Sequence, residues 1–162
     1  MSNCSTCPSK GKCGKNEDSC GIKNNPKNKI KHVVGVMSGK GGVGKSSMSV
    51  LLAKELARQG FKVGIMDADI TGPSIPRLMG LEKEKAYGTN DAIEPVIDKD
   101  GIKVMSLNFL MDDENQPVVW RGPIVGNAVR QFWSDVVWEE LDYLLIDMPP
   151  GTGDVALTVL QN

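Results

Sequence analysis

Gly39-Lys40-Gly41-Gly42-Val43-Gly44-Lys45-Ser46-Ser47 is the stretch whose reading decides the fold. It fits the pattern G-x-x-x-x-G-K-[ST], with Gly39, Gly44, Lys45 and Ser46 at the fixed positions. Before it, His32-Val33-Val34-Gly35-Val36-Met37 is a nearly unbroken apolar run, the signature of a strand buried on both faces of a parallel sheet. After it, Met48, Leu51, Leu52 and Leu56 recur on one face of a helix that Gln59-Gly60 closes. Strand, glycine loop and helix in that order give the motif the context a phosphate site needs.

The chemistry follows from the residue types. Glycines let the backbone approach closely and turn successive N–H groups into one concavity. The helix that follows adds its positive dipole end and its unpaired first-turn amides. Lys45 supplies a point charge for the β- and γ-phosphates, and the Ser46 hydroxyl is placed to ligate Mg²⁺. The nucleotide-binding set is therefore Gly39, Lys40, Gly41, Gly42, Val43, Gly44, Lys45, Ser46 and Ser47.

Lys40, directly after the first glycine, is a charge that an ordinary phosphate loop does not need. With it the loop resembles the deviant Walker A motif, K-G-G-x-G-K-[ST], of the class that holds the nitrogenase iron protein, the arsenite-pump ATPase and the MinD and ParA positioning ATPases. The resemblance implies a homodimer facing itself across the nucleotides, with Lys40 a catalytic residue acting on the partner's nucleotide.

Working outward, Phe61-Lys62-Val63-Gly64-Ile65-Met66 reads as the next strand and runs into Asp67-Ala68-Asp69. A right-handed βαβ unit brings both carboxyl ends to one edge of the sheet, where ligands of open α/β folds sit. Asp69 is thus expected beside the phosphates, orienting an attacking water or holding Mg²⁺ through its hydration shell. Asp67 reads equally well as a turn acid. Ser74 to Gly80 suits a short helix and residues 81–92 a surface loop. Ile93–Ile97 and Ile102–Leu107 flank Asp98-Lys99-Asp100-Gly101 as a hairpin. Trp120-Arg121-Gly122-Pro123 opens a helix with Val129, Phe132, Trp133 and Val136 inward, and the three tryptophans read as core. Tyr143-Leu144-Leu145-Ile146-Asp147 is an apolar strand ending in an acid, the Walker B form, and Asp147 is expected to hold a water on Mg²⁺ opposite Ser46. Pro150, Gly151, Thr152, Gly153 and Asp154 then suit a switch II loop that orders on a γ-phosphate. The fold expected is α/β: a mostly parallel twisted sheet of the P-loop NTPase type, incomplete at its C-terminus.

All four cysteines lie in the first twenty residues, as Cys4-x2-Cys7-x5-Cys13-x6-Cys20, in a stretch with almost no apolar residue. Such a segment needs a cross-link to hold shape. Disulfides are disfavoured in a reducing cytoplasm. Four thiolates suit one metal centre, either tetrahedral zinc or an iron–sulfur cluster, and the spacing does not separate the two. The expected division is a flexible cysteine-rich arm and linker over residues 1–31 and an ATPase domain over 32–162.

The 162 residues carry a net charge of −1, which argues against general nucleic-acid affinity. No apolar run approaches the roughly 18 residues of a membrane helix. The polar N-terminus is unlike a signal peptide. A cytoplasmic protein with no nucleic-acid or membrane partner is the expectation. His32, the single histidine, reads as a structural or surface residue.

Residues 30–162 together resemble the Mrp/ApbC family of P-loop ATPases, iron–sulfur cluster carriers with eukaryotic cytosolic relatives. The match rests on Val36 to Ser46, Asp67-Ala68-Asp69-Ile70-Thr71-Gly72-Pro73-Ser74, Trp120-Arg121-Gly122-Pro123 and Asp147-Met148-Pro149-Pro150-Gly151-Thr152-Gly153-Asp154. The second and last of these are more specific than the phosphate loop, because the positioning ATPases lack them. The resemblance implies a dimeric ATPase that holds a [4Fe–4S] cluster and passes it to apo iron–sulfur proteins, and it implies ATP rather than GTP. Some members end an N-terminal ferredoxin-like site with C-x2-C-x5-C, which Cys4, Cys7 and Cys13 match. The fourth family ligand lies upstream of that pair, and Cys20 downstream stands in its place here. The family's dimer-bridging C-x-x-C lies beyond the Walker B segment and beyond this chain, so a fragment of a longer protein is expected. Two other readings stay open, a MinD- or ParA-like positioning ATPase and an ATPase with a structural zinc arm.

Overall fold

A computed structural model describes residues 25–69, 74–89, 92–110 and 132–151. Strand β1 (Lys29–Val36) leads through the glycine loop into helix α1 (Lys45–Arg58) and strand β2 (Val63–Asp67). Helix α2 (Ile75–Met79) follows, then β3 (Tyr87–Thr89), β4 (Ala92–Glu94), β5 (Val96–Ile97) and β6 (Lys103–Met105). A 3₁₀ turn at Leu107–Leu110 and strand β7 (Glu140–Asp147) complete the order.

The main sheet runs β1-β7-β2-β6-β5, with a separate β3-β4 pair. β1, β7, β2 and β6 are mutually parallel and β5 is antiparallel to β6. β7 and β2, both interior to the order, are buried along most of their length. Side chains alternate across them as a pleated strand requires. Val63, Ile65 and Leu145 pack with Val50 and Ala53 of α1, while Met66, Leu144 and Ile146 pack on the opposite face with Phe132, Val136 and Trp138. At β2, register aligns Asp67 with Asp147 on the neighbouring strand end. Asp147 in turn lies beside Val36, the last residue of β1. Three parallel strands thus deliver three loops to one edge.

Several sequence expectations shift. β1 is mostly exposed rather than buried on both faces, with Val33 and Val34 at 46% and 36%. Its position at one end of the strand order is the reason. Of the four apolar residues expected on one face of α1, only Leu56 packs against the core. Met48, Leu51 and Leu52 are exposed, and the buried face is Ser49, Val50 and Ala53. Small residues on that face let the helix lie close to the sheet. β2 starts at Val63, not Phe61, which is exposed. β1 starts at Lys29, three residues before the expected run, because the Asn28 side chain joins the domain: its amide donates to the Val136 carbonyl, and its Oδ1 accepts from the Trp138 and Glu139 amides. Pro95 divides the expected 93–97 strand between two sheets, since proline lacks the N–H that a continuous ladder needs. Part of the expected 81–92 loop is strand β3.

Other expectations hold. The Asp98–Gly101 turn joins β5 to β6, its Asp98 Oδ1 accepting from the Asp100 and Ile102 amides at 2.8 and 2.9 Å. The short helix within Ser74–Gly80 is α2. Trp138 is fully buried, and His32 is exposed, stacked on Tyr143. Trp120, Arg121 and Val129 lie outside the described residues.

One glycine is required by packing. A Cβ on Gly64 would lie 2.7 Å from Leu141 Cδ1, 3.0 Å from Leu144 Cδ1 and 3.1 Å from Trp138 Cε3. All three neighbours are buried in the core. We expect Gly64→Ala to destabilise the chain by about 1–3 kcal/mol, read as a lower urea midpoint. An unchanged midpoint would show that the two leucines repack freely.

Candidate functional site

The loop between β1 and α1 reaches the helix through Gly44, whose φ of 86° is the left-handed conformation that glycine adopts without strain. α1 then starts with no side-chain cap and no acid in its first turn. No group of the helix itself offsets its N-terminal dipole or caps its first amides, which leaves them open to an anion. Lys45 and Ser46 are its first two residues. Lys40, Gly41, Gly42, Val43 and Ser47 are exposed around it.

β7 brings Asp147 directly beneath this helix end. Its carboxylate is completely buried and surrounded by donors from α1. The Ser46 hydroxyl donates to Oδ2 at 2.6 Å and the Ser49 hydroxyl to Oδ1 at 2.8 Å. Lys45 Nζ lies 2.8 Å from Oδ2 and 3.8 Å from Asp69 Oδ2. Its side chain is only 7% exposed, yet among the described residues no oxygen accepts from the ammonium with hydrogen-bond geometry. A buried cation with unmet N–H donors, at the open end of a helix, suits phosphate oxygens. Ser46 and Asp147 present two hard oxygen donors side by side, the set Mg²⁺ takes. The residues present therefore fit both a nucleotide and its metal.

Main-chain hydrogen bonds tie this edge together, Met148 N–H donating to the Val36 carbonyl at 3.1 Å among them. Ala68 N–H donates to the Asp147 carbonyl at 2.9 Å, joining the acidic end of β2 to that of β7. Gly151 N–H donates to the Ser38 carbonyl at 2.9 Å, joining the loop after β7 to the loop after β1. Thus Lys45, Ser46, Asp69 and Asp147 meet as the sequence suggests, and Pro150 and Gly151 begin the loop beside them. Thr152, Gly153 and Asp154, and Cys4, Cys7, Cys13 and Cys20, lie outside the described residues.

Ser49 escaped the sequence reading. The available signal was its spacing: three residues after Ser46 and four after Lys45, it shares their helix face. Asp67 also carries more than a turn. Its Oδ1 accepts from the Asp69 amide at 3.1 Å, and its Oδ2 from the Ile75 amide and the Ser106 hydroxyl, each at 3.4 Å. Burial, and then the charge of Asp147 beside it, push its carboxyl up to about 7, against the opposing pull of the Asp69 and Ile75 amides.

That shift has a sign in stability. Between about pH 4, where the unfolded carboxyl ionises, and pH 7, folded Asp67 keeps a proton that the unfolded chain has lost. Stability should therefore be fully present below that window and fall as pH rises through it. The slope should approach about 1.4 kcal/mol per pH unit. Urea midpoints of the nucleotide-free chain from pH 5 to 7.5 test this. Asp67→Asn should flatten the slope, and an equal slope in both proteins would assign it to other groups.

Comparison with known proteins agrees with this geometry. Residues 29–162 match the ParA-type family model described as NUBPL iron-transfer P-loop NTPase. The iron-sulfur cluster carrier protein of Methanocaldococcus jannaschii is 51% identical over 98% of this chain and 56% of its own length. A cytosolic Fe-S cluster assembly factor, the Nubp2 homolog of Drosophila melanogaster, is 48% identical over 82% of this chain and 52% of its own. The chain therefore spans little more than half the length of these relatives. Among solved structures, a nucleotide-binding protein in complex with ADP from Archaeoglobus fulgidus superimposes with a TM-score of 0.69. It is 52% identical, over 82% of this chain and 50% of that one. The phosphate-loop sheet, the acidic strand ends and these matches lead to one assignment: the chain belongs to the NUBPL iron-transfer P-loop NTPase family.

Proposed function

We propose that this chain is the nucleotide-binding part of an ATP-dependent iron–sulfur cluster carrier. The observation that carries the reading is the cluster of Lys45, Ser46 and Asp147 under the N-terminus of α1. Its ligand is a nucleoside triphosphate, with ATP favoured by the family. In the nucleotide-free chain Asp147 holds both Lys45 and Ser46. Phosphate oxygens offer Lys45 a stronger acceptor, so binding draws the ammonium off the carboxylate. Mg²⁺ supplies charge neutralisation on the phosphates when bound, and Ser46 and Asp147 are the residues that would hold it. Asp69, 3.8 Å from Lys45, orients the attacking water, and exposed Lys40 reaches across a homodimer to the partner's nucleotide. Pro150 to Asp154 forms the loop that senses the γ-phosphate and transmits its loss.

The cargo is a [4Fe–4S] cluster destined for apo iron–sulfur proteins. Residues 1–31 form its arm, through Cys4, Cys7, Cys13 and Cys20, and residues 32–162 the ATPase part. Support comes from the extent of the similarity. At 98% of this chain, the match to the Methanocaldococcus jannaschii carrier includes the cysteine arm and does not stop at β1. No described helix is long and apolar enough to cross a membrane, which accords with protein clients, and the family's cytosolic members suggest a cytoplasmic site of action.

Two measurements test this function. Lys45→Ala should weaken ATP binding by roughly 10- to 100-fold, the loss of a charge-assisted hydrogen bond, in a calorimetric titration. Unchanged affinity would remove the phosphate site from Lys45. Anaerobic purification should yield iron and acid-labile sulfide near four each per cluster, lost in a Cys7→Ala, Cys13→Ala double variant. Stoichiometric zinc without sulfide would make the arm a structural zinc site and overturn its carrier role.

A further inference from the structure

Asp147 meets two hydroxyl donors and one ammonium from a single helix, and they divide unequally between its two oxygens. Lys45 and Ser46 both approach Oδ2, at 2.8 and 2.6 Å. Among the described residues Ser49 alone serves Oδ1, at 2.8 Å, from a fully buried position. The Ser49 hydroxyl has one proton and two nearby acceptors, Asp147 Oδ1 and the Lys45 carbonyl at 3.2 Å. The shorter contact goes to the charged oxygen, where a hydrogen bond is stronger, so the proton belongs to Asp147.

The two sides of the carboxylate have different fates if the site binds a metal-nucleotide. Lys45 and Ser46 are the groups with work to do on phosphate and metal, and both must loosen their hold on Oδ2 to do it. Ser49 lies one turn deeper on α1, on the face buried against the sheet. Its contact with Oδ1 does not have to break. A carboxylate held at one oxygen presents the other in a fixed direction, and one released at both can rotate.

We propose that Ser49 is a positioning residue for the metal site: it clamps Asp147 Oδ1 so that Oδ2 stays aimed at Ser46 when nucleotide draws Lys45 away. This rests on the nucleotide reading given above. It differs from a packing role in what it predicts. A serine that merely filled space would affect nucleotide binding equally with and without metal. A clamp on the carboxylate acts on the metal-dependent part alone.

The test is binding of a fluorescent ADP analogue to this chain, first in EDTA and then titrated with MgCl₂. Ser49→Ala should bind the analogue in EDTA within about twofold of the unaltered chain. It should need roughly 10-fold more Mg²⁺ for the metal-dependent change, as losses of outer-shell partners do. Ser49→Thr, which keeps the hydroxyl, should restore the Mg²⁺ midpoint. Ser49→Cys keeps the volume and weakens the donor, so it should shift the midpoint in the same direction, and it decides the matter alone if Ser49→Ala does not fold. An unshifted Mg²⁺ midpoint in Ser49→Ala or Ser49→Cys, or an equal loss in EDTA and in Mg²⁺, overturns the clamp while leaving the nucleotide site standing. Absence of binding by the unaltered chain under both conditions overturns the nucleotide reading, and the clamp with it.

Discussion

A carboxylate with no access to water must be neutralised by its neighbours. Asp147 ends β7, an interior strand of the sheet, beneath the start of α1, and the first two turns of that helix supply the neutralisation. Two serine hydroxyls and an ammonium converge on it. Removing one partner of such a buried pair costs about 3–5 kcal/mol, far more than any exposed ion pair on this surface contributes. The helix, the loop before it and the strand beneath are thereby fixed relative to one another. Shape at this edge is an electrostatic requirement before it is a functional one.

The apolar packing is arranged around that constraint. α1 approaches the sheet closely because Ser49, Val50 and Ala53 form its inner face, and close approach is what lets a serine hydroxyl reach a strand-end carboxylate. On the far face, Gly64 leaves room for Leu141, Leu144 and Trp138 to close over β2. A second acid, Asp67, sits in register beside Asp147, and its raised proton affinity records how crowded with negative charge this edge is. Such crowding is unfavourable for the bare fold and favourable for a site that must hold cations.

The phosphate loop, β7 and the β1-α1-β2 unit were legible in the sequence because each carries a local signal: glycine spacing, an apolar run closed by an acid, and helix stop residues. The convergence of Lys45, Ser46, Asp69 and Asp147 followed from topology alone, since parallel strands put their carboxyl ends together. Burial was less legible. Periodicity located a helix at 45–58 but chose Met48, Leu51 and Leu52 as its inner face, because size and hydropathy do not show which face a sheet will accept. The same limit applied to β1, whose apolar run resembles that of a central strand although it stands at one end of the order. Ser49 went unnoticed for a related reason: a serine in a helix has no meaning until the acid opposite it is placed, about a hundred positions away in the chain.

The bond between Gly151 and Ser38 joins two main-chain groups. No side-chain chemistry enters it, so substitution at position 38 can alter the surroundings of this contact without deleting either partner. The two loops are consequently joined through their backbones, and the joint depends on Gly151 keeping its left-handed φ of 95°. At position 38 the contact tolerates a change of side chain, because the carbonyl belongs to every residue, whereas at position 151 it is tied to glycine, so the two ends of one bond carry unequal sequence constraints.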